Sequence, residues 1–222
     1  MKYRSIPGTE LKPSVICFGT ALIGSVHIPE PESFRLLDLY LELGGNFIDT
    51  AKVYSDWLPG ERSVSEKTIG RWLRARGNRE QVILATKGAH PELDRMDAPR
   101  LSRECIVGDA EQSLANLQTD YIDLYWLHRD DPRTPVGEIM ETLNELIRAG
   151  KVRYIGCSNW TPARIEEANR YARERGLQGF AANQPMWSLA EPNVDRIQDK
   201  TLVVMGAGGE AFHRRTGMAC VP

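Results

Sequence analysis

Four ionisable side chains with the chemistry of a proton-transfer site follow strand-like runs of this sequence. They are a carboxylate, a phenol, an ammonium and an imidazole: Asp49, Tyr54, Lys87 and His128. An unperturbed phenol, with a pKa of ~10, is a weak acid at neutral pH. A neighbouring ammonium favours the phenolate, and a carboxylate paired with that ammonium holds it in place. Such a set can protonate a carbonyl oxygen as hydride reaches carbon, while a neutral imidazole orients that oxygen. Because no side chain supplies hydride, a cofactor is required.

Each of these residues also has an ordinary structural interpretation. An aspartate after a strand often caps a turn, a loop tyrosine often packs, and a lysine at a strand end is often solvated. Their joint placement favours chemistry, because all four follow the ends of predicted strands. In a closed parallel barrel those ends converge on one mouth, within reach of one another.

The elements that must position these residues alternate along the whole chain. Apolar, β-rich runs lie at 15–21, 46–51, 81–87, 121–128, 152–159, 179–185 and 217–222. Segments of helical period lie at 32–43, 63–77, 101–117, 135–150 and 161–176, and another helix is expected to begin near 206–212. This alternation indicates a parallel sheet with crossover helices.

Both a doubly wound sheet and an eight-stranded (β/α) barrel fit that alternation. No GxGxxG fingerprint follows the first strand, since "FGTALIGS" does not match it. Polar residues recur at the carboxyl ends of strands, where barrel enzymes place their chemistry. We therefore predict an α/β protein with a (β/α)8 TIM barrel, one domain over 1–222, and a hairpin at 2–15 across the barrel floor.

Local patterns predict where helices begin and end. Ser63 and Glu66 match a capping box at the start of one helix, which Gly77 can terminate. Thr161 is a predicted N-cap, followed by Pro162 at the first helical position.

Five dispersed segments together resemble the aldo-keto reductases. They are "NFIDTAKVY", "VILATK", "DLYWLHRDD", "GKVRYIGCSNW" and "NQPMWS". The match extends over nearly the whole chain, with the segments in order and at family-like spacing. The resemblance implies a barrel that reduces an aldehyde or ketone to an alcohol with NADP(H). It implies that Tyr54 is the general acid and base, that Asp49 and Lys87 tune it, and that His128 orients the carbonyl.

The same resemblance implies a cofactor-binding set. Ser158, Asn159 and Gln184 would hydrogen-bond the nicotinamide carboxamide. Trp187 would stack on the nicotinamide ring; many relatives carry tyrosine there, and indole offers at least as broad an apolar face. Asp49 would border the cofactor as well. The end of the first predicted strand, Gly19 and Thr20, would lie near the cofactor ribose.

Several aromatic residues border the expected mouth. Trp57 is expected to wall the substrate pocket, with an exposed loop aromatic as the alternative. Trp126 lies two residues before His128 on a predicted strand, so both side chains are expected on the same face. Trp126 therefore either packs in the barrel interior or contacts the substrate. His27 and His90 follow strands and either line the mouth or lie on the surface, and His213 is expected to be solvated.

Compared with the family, the sequence stops inside its seventh predicted strand. We expect the eighth strand, the segment that grips the adenosine 2′-phosphate and the C-terminal substrate loop to be missing. The residues present select neither the substrate nor NADP over NAD. Two alternatives remain: a non-catalytic cofactor-binding or regulatory protein on the same scaffold, and an inactive truncated fragment.

Composition bounds the other function classes. The 222 residues are 41% hydrophobic and 26% charged, typical of a globular protein, and the net charge of -2 gives no reason to expect nucleic-acid binding. No apolar run approaches the ~20 residues of a membrane span. The four cysteines show no CxxC pairing, as expected in a reduced, cytoplasmic protein. We predict no metal site, and no residue indicates the oligomeric state.

Overall fold

Seven parallel strands form a single sheet in the computed structural model, which describes residues 1–222. The strands are β1 Phe18–Gly19, β2 Phe47–Asp49, β3 Ile83–Gly88, β4 Ile122–Leu127, β5 Val152–Ser158, β6 Ala182–Gln184 and β7 Ala219–Cys220. The helices are α1 Glu30–Glu42, α2 Val64–Arg76, α3 Arg103–Leu117, α4 Val136–Arg148, α5 Pro162–Glu174 and α6 Ala207–Thr216. Each strand pairs in parallel with the next one along the chain, which confirms the predicted alternation. None of these helices has the length and apolar character needed to cross a bilayer.

The sheet curls round on itself, as in a (β/α) barrel. The amide nitrogen Nε2 of Gln184 on β6 lies 3.3 Å from Oδ1 of Asp49 on β2. In a flat sheet, strands four places apart would be separated by about 19 Å. The contact therefore requires curvature, and the sequential strand order excludes the doubly wound alternative.

Apolar side chains fill both faces of the curled sheet. The largest cluster, of 21 buried residues, packs the outer face of β4 and β5 against α3, α4 and α5. A smaller interior cluster joins strands to the N-terminal segment and consists of Ile6, Leu11, Phe47, Ala85, Leu124, Trp126 and Ala182. Because both faces are covered, β4 is buried along its whole length and reads as an almost continuous apolar run.

The N-terminal segment is the predicted hairpin. Tyr3 and Ser14 form an antiparallel bridge, and the Ile6 N–H donates to the Leu11 carbonyl at 3.0 Å. Ile6 and Leu11 belong to the interior cluster, and the Glu10 N–H donates to the Tyr154 phenol oxygen at 3.1 Å. The hairpin thus closes one end of the barrel interior, and the chemistry is left to the other end.

The predicted capping box of α2 is wrong. Ser63 lies in the left-handed region with φ of 55° and makes no capping hydrogen bond through its side chain. Glu66 is fully buried instead, and its carboxylate accepts hydrogen bonds from Thr86 Oγ1 at 2.6 Å and Asn116 Nδ2 at 2.8 Å. The spacing was right for a cap, but tertiary partners on β3 and α3 compete for the carboxylate. Gly77 does end α2 in the left-handed region, as predicted.

Other local predictions hold, although the strands are shorter than expected. The Thr161 side chain caps α5 by accepting from the Arg164 N–H, with Pro162 as its first residue. β1 has only two residues, because the preceding Val15 and Ile16 are exposed and belong to the hairpin end. The carboxyl end of each strand nevertheless lies within two residues of the predicted end.

Candidate active site

A buried ammonium lies at the centre of the candidate site. The Lys87 side chain is 1% exposed, and its Nζ has an acceptor for each of its three protons. It pairs with the Asp49 carboxylate and donates to the Thr50 carbonyl at 2.8 Å and the Tyr54 phenol oxygen at 2.9 Å. The three acceptors follow one another on the stretch that leaves β2, whereas Lys87 lies at the end of the neighbouring strand β3.

Asp49 is held on its other side as well. Its Oδ1 accepts from the indole Nε1 of Trp126 at 3.0 Å and from Gln184 at 3.3 Å, and its Oδ2 faces Lys87. The carboxylate thus receives donors from three strands, β3, β4 and β6. This arrangement fixes the carboxylate plane and so fixes the ammonium beside Tyr54.

Electrostatics keep Lys87 charged. Burial alone lowers the pKa of the Lys87 ammonium, but the Asp49 charge and the hydrogen bonds to Asp49 and Tyr54 outweigh it, so the net shift is upward. A protonated nitrogen therefore lies against the phenol oxygen at neutral pH. Such a neighbour stabilises any negative charge that develops there.

The loop that carries Tyr54 is tightly turned. The Tyr54 N–H donates to the Ala51 carbonyl at 3.0 Å, and Ser55 adopts a left-handed conformation with φ of 69°. Ser55 Oγ donates to the Ala21 carbonyl at 2.8 Å, which ties this loop to the segment after β1. The Tyr54 ring lies edge-on to Trp57 and His128, at centroid distances of 6.2 and 6.1 Å.

His128 is the fourth predicted residue of the set, and it is buried beside the other three. Burial, followed by the positive charges of Lys87 and Arg129, holds the pKa of His128 well below its usual range. The imidazole is therefore neutral at pH 7. Its Nδ1 is buried without a hydrogen-bond partner. The structure thus brings together all four residues that the sequence singled out.

His90 approaches this set more closely than the sequence indicated. Its ring lies edge-on to His128, with 4.7 Å between centroids. Its Nδ1 lies 2.6 Å from the Pro91 carbonyl, so Nδ1 carries the proton and Nε2 is left as an acceptor. Burial lowers the pKa of His90, which favours the neutral ring. A polar cavity of about 280 Å³ lies against His90 and Lys87. His27, by contrast, is exposed.

Three residues predicted to hold the cofactor carboxamide lie together at the ends of β5 and β6. Ser158 Oγ donates to the Gln184 carbonyl at 2.8 Å, and Asn159 Nδ2 donates to Ser158 Oγ at 3.1 Å. Asn159 also donates to the His128 carbonyl at 3.1 Å and accepts from the Val203 N–H at 3.1 Å. The side-chain amide of Asn159 therefore links this polar set to the backbone of His128, at the carboxyl end of β4.

The remaining predicted cofactor residues differ in their surroundings. Thr20 is buried, and its hydroxyl donates to the Asp49 carbonyl at 2.9 Å. Gly19 is exposed, and a Cβ added there would meet no atom within 4 Å. Trp187 is 47% exposed and borders a groove of about 800 Å³ between the N-terminal hairpin and β7.

The positions of the other aromatic side chains decide between the alternatives for Trp126 and correct the prediction for His213. Trp126 packs in the barrel interior with its nitrogen on Asp49, which is the packing alternative. Trp57 is 49% exposed on the loop after Tyr54. His213 is not solvated as predicted: its ring nitrogens lie 3.0 Å from the Met218 carbonyl and 3.1 Å from Asn183 Nδ2. The reason is that α6 packs this residue onto the β6 and β7 ends.

Comparison with known proteins identifies the family of this chain. The model of the aldo/keto reductase family matches residues 15–207, which include every residue of the candidate site. The chain is similar to an uncharacterized oxidoreductase, YrpG, of Bacillus subtilis, with 39% identity over 86% of this chain and 59% of the relative.

Two fungal relatives have more specific names. Norsolorinic acid reductase B of Dothistroma septosporum is 34% identical over 88% of this chain and 52% of its own length. Aryl-alcohol dehydrogenase [NADP(+)] of Phanerodontia chrysosporium is 34% identical over 86% of this chain and 52% of its own length. The chain thus spans about half the length of the curated relatives it matches. The curled parallel sheet, the site at its strand ends and the family match lead to one conclusion: the chain belongs to the aldo/keto reductase family.

Proposed function

We propose that this protein reduces an aldehyde or ketone to an alcohol, reversibly, with a proton from Tyr54 and NADP(H) as cofactor. The observation that carries the proposal is the Lys87 ammonium, which lies 2.9 Å from the Tyr54 phenol oxygen and pairs with the buried Asp49 carboxylate. A carbonyl oxygen needs a proton as its carbon is reduced, and a phenol beside a fixed positive charge can donate one.

The proton transfer is local to the strand ends. When Tyr54 gives up its proton, the negative charge that forms lies against the Lys87 ammonium. Lys87 keeps its own proton because Asp49 and the Thr50 carbonyl both hold it by hydrogen bonds. In the reverse direction, the same phenolate accepts a proton from an alcohol. Charge therefore appears only where a preorganised partner already lies.

His128 serves as an orienting group rather than a competing acid. Burial keeps the imidazole neutral, so it can offer an N–H to a carbonyl oxygen without adding a second positive charge beside Lys87. Its ring lies edge-on to the Tyr54 ring, with 6.1 Å between centroids, so both side chains border the same end of the barrel. His128 thus selects the position of that oxygen.

The residues at the strand ends fit a nicotinamide cofactor. Ser158, Asn159 and Gln184 concentrate amide and hydroxyl groups beside Asp49, and Gly19 leaves open space at the end of β1. Trp187 offers an exposed indole face for the ring. NADP(H), when bound, supplies the hydride. The name of the Phanerodontia relative supports NADP over NAD.

The proposed substrate is a small carbonyl compound of the aryl type. The half-exposed Trp57 lies 6.2 Å from the Tyr54 ring and offers an aromatic wall. The name of the aryl-alcohol dehydrogenase relative points the same way. We place residues 1–222 in one barrel domain that acts in the cytoplasm.

The test is reduction of 4-nitrobenzaldehyde by the purified full-length gene product, followed by loss of NADPH absorbance. The proposal expects steady turnover that stops without the aldehyde. Tight NADPH binding with no turnover of aldehydes or ketones would instead support a regulatory protein on the same scaffold. A protein that binds neither NADPH nor NADH would contradict the assignment of a nicotinamide cofactor.

A further inference from the structure

One buried carboxylate outside the barrel interior joins the two loops that carry the candidate active site. Asp109 lies in the middle of α3, and its side chain is 3% exposed. Its Oδ1 accepts from Lys52 Nζ at 2.6 Å and Arg100 Nη2 at 2.9 Å. Its Oδ2 accepts from the Ala89 N–H at 2.9 Å. All three donors come from the loops after β2 and β3.

The first of these loops connects Asp49 to Tyr54. Lys52 lies between those two residues, and its backbone N–H donates to the Lys87 carbonyl at 3.1 Å. Its side chain is 28% exposed and borders the polar cavity. The link to Asp109 therefore holds the Lys52 side chain against the protein and fixes the chain two residues before Tyr54.

The second loop, which follows Lys87, begins in a strained backbone conformation. Ala89 adopts φ of 59°, a left-handed backbone that an alanine rarely takes. A Cβ added to Gly88 would lie 2.9 Å from Cβ of Asp109 and 1.9 Å from the Tyr125 phenol oxygen, so the backbone packs directly on α3. The hydrogen bond from Ala89 to Asp109 compensates for the strain. It also directs the chain so that His90 turns back toward His128.

We propose that Asp109 is a positioning residue for the Tyr54–Lys87 pair, an inference that rests on the proposed function of that pair. It touches none of the four residues of the set. It acts through Lys52 on the loop of Tyr54 and through Ala89 on the loop of Lys87. A shift of either loop changes the distance between phenol and ammonium, and displacement of about 1 Å can cost ~100-fold in rate.

The chain contains a matched control for this role. Asp123 is also 3% exposed and also bridges two cations, Arg79 at 2.7 Å and Arg153 at 3.1 Å. It also accepts from a backbone N–H, that of Leu84 on the neighbouring strand β3, at 3.0 Å. Asp123 lies toward the opposite end of β3 and β4, away from the strand ends that carry the site. A merely structural role would therefore make the two aspartates equivalent.

The experiment compares Asp109→Asn with Asp123→Asn in the full-length gene product. The direct readout is the 13Cζ NMR resonance of Tyr54 in protein labelled at that carbon of tyrosine, assigned by its loss in Tyr54→Phe. We expect Asp109→Asn to move this resonance by more than its linewidth, and Asp123→Asn to leave it in place. Both variants should lose a similar amount of stability toward urea.

The kinetic readout separates this inference from the proposed function. Asp109→Asn should lower kcat for 4-nitrobenzaldehyde by about 10- to 100-fold, with the NADPH dissociation constant within twofold of wild type. Asp123→Asn should leave kcat within twofold. If the wild type reduces no carbonyl compound, the proposed function fails, and the Tyr54 resonance still decides the role of Asp109.

Lys52→Met provides a second variant, should Asp109→Asn not fold. It breaks one link and leaves Asp109 paired with Arg100, so it should shift the Tyr54 resonance in the same direction by a smaller amount. An unmoved resonance in folded Asp109→Asn would overturn the proposal, and so would an unmoved resonance in Lys52→Met where Asp109→Asn does not fold. An equal shift in Asp123→Asn would overturn it too.

Discussion

The Nζ atom of Lys87 lies 2.9 Å from the phenol oxygen of Tyr54, although the two residues are 33 positions apart in the chain. The contact forms because β2 and β3 are neighbours in the sheet and their carboxyl ends lie side by side. Asp49, at the end of β2, supplies the negative charge that holds the Lys87 ammonium beside Tyr54. One parallel strand pair thus assembles an acid, its charged neighbour and the counterion.

The buried ion pair predicts non-additive stability effects. Lys87→Met leaves the Asp49 charge buried without its partner, and breaking such a pair costs about 3–5 kcal/mol. Asp49→Asn leaves the Lys87 ammonium buried without its counterion and should cost a similar amount. The double variant removes both charges and should therefore lose less free energy of unfolding than the sum of the singles. Urea titrations of the four proteins measure this coupling, and strictly additive losses would contradict the pair.

His128 predicts a stability change in mildly acidic solution. Its pKa is depressed in the folded protein, so between that value and the unfolded pKa of about 6.5 the unfolded chain binds more protons. The free energy of unfolding should therefore fall as pH drops below about 6.5, by at most ~1.4 kcal/mol per pH unit for this residue. His128→Gln should make the fall less steep.

Urea titrations at several pH values between 8 and 5 check this slope. The exposed His27 gives the matched control, because His27→Gln leaves the buried ring in place and should keep the wild-type slope. His90, whose pKa is also lowered by burial, contributes to the wild-type fall and remains in both variants. Identical slopes for His128→Gln and His27→Gln would count against a buried, neutral His128.

Trp187 predicts a loss of cofactor affinity. If its exposed indole face stacks on the nicotinamide ring, Trp187→Ala should raise the NADPH dissociation constant several-fold, since an aromatic contact contributes on the order of 1 kcal/mol. Trp57→Ala should leave that constant nearly unchanged but raise the KM of an aryl aldehyde. Fluorescence titration with NADPH measures the first effect. Equal cofactor affinity in wild type and Trp187→Ala would place the indole away from the ring.

The architecture and the four central residues were predictable from the sequence because both depend on short-range patterns. Apolar runs followed by polar residues mark strand ends, and parallel strands bring those ends together. Trp126 lies on β4 and His128 directly follows that strand, two residues further on, so their shared orientation was predictable too. The partner of the Trp126 nitrogen was not, because that partner is Asp49, on another strand.

The residues that sequence reasoning missed depend on contacts between distant segments. Glu66 has the spacing of a helix cap but turns inward to Thr86 and Asn116. Asp109 lies on a helix where an acidic residue is usually solvated, and only the fold brings Lys52 and Ala89 to it. Its burial could not be inferred from the weakly amphipathic pattern of α3.

The central claim is that Tyr54 donates the proton, and the most direct measurement is carbonyl reduction by Tyr54→Phe in the full-length gene product. This change removes one hydroxyl and leaves the ring beside Trp57 and His128. Because a positioned acid contributes typically ~10²- to 10⁴-fold, kcat for 4-nitrobenzaldehyde should fall by at least about 100-fold, while NADPH still binds with near-wild-type affinity. A kcat within a factor of two of wild type would contradict the account.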